Sequence, residues 1–161
     1  MIVIDLLVRW VGRFVSWFTL VLVLVIVVDV FFRYTLSITS AASFELEWHL
    51  FAALFLLGSA WTLQADKHVR VDLFYHKFSE RGRAIVNLVG SVFLLLPFCY
   101  VGFSESLSFV AGSFDMGETS ADPGGLPARY IIKATIPSGF LLLGLQGISE
   151  ALKSFKTLVN A

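Results

Sequence analysis

Four apolar runs divide the chain, each able with its flanks to cross a hydrocarbon layer of about 30 Å at ~1.5 Å rise per residue. Residues 14–32 hold one charge, Asp29; residues 50–63 are interrupted only by Gly58, Ser59 and Thr62; residues 84–103 hold no charge; residues 130–148 hold only Lys133. The pattern predicts an all-α integral membrane protein, one four-span domain over residues 1–161 with transmembrane helices at about 14–34, 44–65, 84–104 and 129–149. No small-residue cleavage site follows the first run, so it is expected to be a retained span. Ahead of it, Leu6, Leu7, Trp10 and Phe14 recur at roughly helical spacing among Asp5, Arg9 and Arg13, which predicts a start lying along the membrane surface.

The polar intervals differ in kind. Residues 35–43 read as a short turn, and residues 104–127 as a long connection carrying Glu105, Asp115, Glu118 and Asp122 and the turn-forming run Asp122-Pro123-Gly124-Gly125-Leu126-Pro127. Between spans two and three, Val71, Phe74, Tyr75 and Phe78 recur at i, i+3, i+4 and i+7. This predicts a short amphipathic helix with its apolar face on lipid or a neighbouring subunit. Ser79 is placed to cap the next helix, with Glu80 in its first turn. Pro97 predicts a bend in span three, and Pro137-Ser138-Gly139 loosens the first half of span four.

Composition agrees: hydrophobic residues make up 57% and charged residues 15% of the chain, and mean hydropathy is +0.82. Formal net charge is zero, so nothing points to nucleic acid as a partner. The placement of charge is more informative than its sum. Lys67, Arg70, Lys77, Arg81 and Arg83 crowd the connection between spans two and three, whereas residues 84–128 contain no Lys or Arg. The positive-inside rule therefore puts that connection and both termini in the cytoplasm, and the acidic connection with Glu45 and Glu47 on the other side.

Chemistry for catalysis is not apparent at any useful spacing, so an enzyme is not expected, and neither is a cofactor or a metal. Glu45 and Glu47 stand at i and i+2 and cannot share a helical face as an acid/base pair. Cys99 is alone, which excludes an intrachain disulfide, and reads as a small buried apolar side chain. His49 is the one histidine on a span, near its outer end, whereas a membrane cytochrome needs axial histidines at bilayer depth on facing helices. Asp29 lies inside span one with Arg33 one turn later, an i,i+4 arrangement that predicts a self-neutralising ion pair near the outer interface. No span shows matched Gly/Pro breaks at midplane, the mark of a transporter's own substrate site. The chain reads as a companion to something larger.

Glu45-x-Glu47-Trp48-His49-Leu50-Phe51, then Gly58, then His68-Val69-Arg70-Val71-Asp72, then Ser120-Ala121 with the 122–127 run, then Ile136-Pro137-x-Gly139-Phe140 through Leu145-Gln146-Gly147, together resemble the small (Q-type, DctQ-like) membrane subunit of tripartite ATP-independent periplasmic (TRAP) transporters. The resemblance covers about residues 44–148. It implies a non-enzymatic scaffold in the bacterial inner membrane. Its partners would be a large membrane permease subunit that imports an organic acid on a sodium gradient and a periplasmic substrate-binding protein. The subunit-interface candidates are then Glu45, Glu47, Trp48, Gly58, His68, Arg70 and Asp72, with Phe74 and Phe78 from the amphipathic stretch. The alternative is a four-helix membrane anchor subunit of an electron-transfer complex, against which the histidine placement argues.

Overall fold

Helix α1 (Ile2–Leu36) runs unbroken through the amphipathic start and the first apolar run. At ~1.5 Å per residue it is about 52 Å long, well beyond a hydrocarbon layer. The start does not form a separate surface segment. Val8, Gly12 and Val15 are buried, and half-buried Phe18, Leu22 and Val25 continue that stripe at spacings of three and four to buried Asp29. One seam thus keeps the whole helix against its neighbour. These features come from a computed structural model that describes residues 1–66, 75 and 78–160.

Ser37 ends α1 in the left-handed region (φ 53°), and Ile38 N–H returns to Phe32 O at 3.2 Å, so the last carbonyls of the helix are satisfied. Ser40 Oγ then accepts from Ser43 N–H at 3.3 Å and caps α2 (Ala41–Gln64). So tight a turn makes α1 and α2 antiparallel neighbours.

Helix α3 (Glu80–Asp115) starts at the expected cap, where Ser79 Oγ accepts from Gly82 N–H at 3.2 Å with Glu80 in the first turn. Its turn at Ser91–Leu95 is π-helical and lies immediately before Pro97. The proline offers no N–H to Phe93 O and its ring crowds that carbonyl, so a widened turn is the local accommodation. The helix continues to Asp115, well into the stretch expected to be a connection. Ser104, Ser106 and Ser108 bond back to carbonyls three residues earlier, and Phe109 and Phe114 keep ring contacts with α4. The true connection is 116–129. Helix α4 (Tyr130–Asn160) contains Pro137 and is the most buried of the four.

All four helices are long and apolar enough to cross a membrane, and no strand occurs among the described residues. Helix α1 packs on α2, α2 on α4, and α4 on α3, with a lesser contact between α1 and α4. Helices α2 and α4 are therefore the middle of the bundle. They approach so closely that a Cβ at Gly139 would stand 2.8 Å from the Leu56 carbonyl oxygen. A Cβ at Gly12 would stand 2.5 Å from the Trp61 ring, which locks α1 to α2 in the same way. The helix order puts the start of α1, the end of α2, the start of α3 and the end of α4 at one end of the bundle, and the 37–40 turn and the 116–129 connection at the other. Of the amphipathic stretch, Tyr75 and Phe78 are described; His68, Arg70, Asp72 and Phe74 lie outside the described residues.

Candidate functional site

Two polar clasps, one at each end of the bundle, hold the helices together. At the 116–129 end the clasp is built on Glu45, whose side chain is 3% exposed. Its Oε1 accepts from Arg129 Nη2 at 2.7 Å and from Ser120 Oγ, and its Oε2 accepts from the Leu126 backbone N–H at 2.6 Å. Ser120 is itself fixed by accepting from Asp122 N–H at 3.0 Å and by its own N–H bonding to Leu126 O at 3.1 Å. Asp122-Pro123-Gly124-Gly125 supplies the tight reversal, with Gly124 at φ 77° and Gly125 N–H returning to Asp122 O. The motif is therefore a cradle for one carboxylate of α2.

Beside it, Lys133 Nζ donates to Glu118 Oε2 and stands 4.0 Å over the Phe109 ring, tying the connection to α3 and α4. That hydrogen bond from Lys133 is the leading cause that holds the Glu118 carboxyl below its ordinary value of 4.5. A depressed carboxylate stabilises the fold above its unfolded-state value, and the gain is lost as pH falls through its folded-state value. In thermal melts, Glu118→Gln should therefore lower the midpoint at neutral pH, and the gap to the parent chain should shrink once pH falls below about 4.5. A gap that grows with acidification would contradict this pairing.

The second clasp gathers α1, α2 and α4 at the terminal end. Asp5 Oδ1 accepts from Ser149 Oγ at 2.9 Å, Lys153 Nζ at 3.1 Å and Gln146 Nε2 at 3.2 Å, while Gln64 Nε2 donates to the Asp5 carbonyl at 2.7 Å. Glu150 Oε1 accepts from both Gln146 and Lys153 at 2.8 Å. Gln146 and Ser149 are fully buried inside the bundle, whereas Leu141, Ile148, Leu152 and Phe155 of α4 face outward.

The candidates named from the sequence divide accordingly. Arg33 donates to Asp29, whose side chain is 5% exposed and lines a cleft of about 410 Å³ between α1 and α2 with Phe32, Ser40, Ser43 and Leu46. Arg33, Arg129 and Lys133, the three cations at that end among the described residues, are each engaged by an acid of the same chain. Glu45 faces the connection. Glu47, Trp48 and Gly58 lie instead on the more open side of α2, with Arg129 passing 5.9 Å from the Trp48 ring. Phe78 is exposed at the other end of the molecule. Among the described residues no group of His, Cys, Asp and Glu is arranged to hold a metal ion. Sequence reasoning does not single out Asp5, Arg129, Ser149 and Lys153 as site residues. For Arg129 and Lys153, the only signal it offers is a cation flanking a span.

A family model described as tripartite ATP-independent periplasmic transporters, DctQ component, matches residues 22–157. The chain belongs to the DctQ family. No curated protein matches it in sequence. DctQ is a transporter component and not an enzyme family, so this chain is a small TRAP transporter subunit and a multi-pass membrane protein; the electron-transfer anchor reading gives way. The DctQ match includes the whole of the Glu45 clasp, whereas Asp5, the centre of the other clasp, precedes it.

Proposed function

We propose that this DctQ subunit is the fixed scaffold of a sodium-driven, binding-protein-dependent importer of an organic acid in the bacterial inner membrane. It packs against the large permease subunit and holds the stationary part of that subunit while the transporting part moves. Both termini and the 65–79 connection are cytoplasmic, and the 116–129 connection is periplasmic, within reach of the substrate-binding protein. The observation that carries this reading is the pair of clasps. The buried carboxylate of Glu45 and the carboxylate of Asp5 are held by partners from other elements, so polar groups near the membrane serve to lock helices in place. A rigid frame suits a subunit that must not follow its partner's motion. The charge pattern supports the orientation, since the described cations at the periplasmic end are all neutralised internally.

Proteoliposomes test it. Vesicles holding this chain, the large subunit and the binding protein should take up the organic acid in a sodium-dependent manner, and vesicles holding this chain alone should show none. Saturable uptake by the chain alone, or full uptake by the large subunit and binding protein without it, would overturn the scaffold assignment.

A further inference from the structure

We propose that the free face of α2 seats a transmembrane helix of the large permease subunit, which brings a cation to Glu47 and approaches α2 most closely at Gly58. This rests on the scaffold reading above and adds to it the face, the contact point and the charge of the partner.

At 100° per residue, Phe44, Glu47, Trp48, Phe51, Phe55, Gly58 and Thr62 fall within one arc of α2, while Glu45 and Leu56 turn to α4 and its connection and Trp61 turns to α1. Both flanks of α2 are covered by neighbours, yet only 11% of its apolar stretch is buried, no more than for α1 at the edge of the bundle and against 28% for α4. Between residues 20 and 30 the exposed side of α1 is aliphatic, with Val21, Val23, Leu24, Ile26, Val27 and Val30, and its exposed rings, among them Trp17 and Phe31, flank that stretch. The arc on α2 carries four aromatic rings, a carboxylate and a glycine. Lipid tails call for none of these, whereas aromatic anchors and small residues are what helix interfaces use.

A glycine inside a helix weakens it relative to alanine, and at Gly58, as at Gly90 and Gly112, no neighbouring element comes within 4 Å of where a Cβ would stand. At Gly12 and Gly139 the corresponding space is filled by a neighbouring helix. Glu47, half-buried one turn before Phe51 and two before Phe55, makes no ion pair or hydrogen bond among the described residues, and the three described cations at its end of the molecule are already engaged. A half-buried carboxylate with no partner in its own chain is placed to pair with a cation of a neighbouring subunit.

The experiment is co-purification of the tagged chain with the large subunit from membranes, alongside thermal melting of the chain alone. Gly58→Leu should leave the isolated chain as stable as the parent or more so, and reduce recovered complex about tenfold by closing the notch. Glu47→Lys should reduce it comparably, and Glu47→Gln less. Val27→Phe on α1 should change neither property. Undiminished complex with Gly58→Leu and Glu47→Lys would overturn the proposal and leave the face to lipid. Loss of a dimer of this chain with the hetero-complex intact would overturn it in favour of a second copy. Failure of the parent chain to recover the large subunit would instead sink the scaffold reading, and this one with it.

Discussion

Glu45→Ala is expected to be the most damaging single change at the 116–129 end of the bundle, lowering the thermal midpoint of the purified chain by on the order of 10 °C. Three donors converge on that carboxylate: the Arg129 guanidinium, the Ser120 hydroxyl and the Leu126 backbone N–H. Alanine leaves the first without its counter-charge and the third without an acceptor, in a place where water enters poorly. The 116–129 connection would lose its attachment to α2 while Lys133 and Glu118 still held its other side. Glu45→Gln keeps an acceptor but removes the charge, so it should fall between the parent and alanine. Combining Glu45→Gln with Arg129→Gln should recover part of the loss, because no uncompensated cation remains. Equal melts for parent and alanine variants would mean that the cradle contributes nothing.

Most of the helical layout is legible in the chain because apolar runs bounded by Ser-rich turns and cations leave few alternatives in a membrane. The caps at Ser79 and the turn before α2 follow from local chemistry. The errors share a cause. Asp5, Arg9 and Arg13 suggest a surface segment, and Ser104 to Asp115 a connection, because polar residues at a span's edge look the same whether the helix stops or simply leaves the hydrocarbon. The clasps are not legible, since their partners are far apart in sequence: 84 residues separate Glu45 from Arg129, and 144 separate Asp5 from Ser149. No periodicity encodes such pairs. The i,i+4 pair of Asp29 and Arg33 is visible for the opposite reason. The division between Glu45 and Glu47 is half legible: their spacing requires opposite faces, but only the packing shows that one face meets a loop and the other is free.

Gly139→Val tests the seam between the two central helices, and a larger loss is expected there than at any other glycine. Its Cβ would stand 2.8 Å from the Leu56 carbonyl oxygen and 3.0 Å from the carbonyl carbon. Those are backbone atoms of a helix, so no rotamer change relieves the clash and α2 must move away from α4. Gly12 differs, because the atoms it would meet belong to the Trp61 side chain, which has some freedom to turn. Displacing α2 would also pull Glu45 from Arg129, and Gln64 from Asp5, so one methyl-bearing side chain strains both clasps. Overpacking alone costs about 1–3 kcal/mol, and the strained clasps add to it. Gly139→Ala should already lower the midpoint of the isolated chain, Gly139→Val should lower it further and reduce membrane yield, and Gly12→Ala should sit between Gly139→Ala and the parent. Were Gly139→Val to melt like the parent, α2 and α4 would not be in backbone contact, and the bundle would need to be held by its clasps alone.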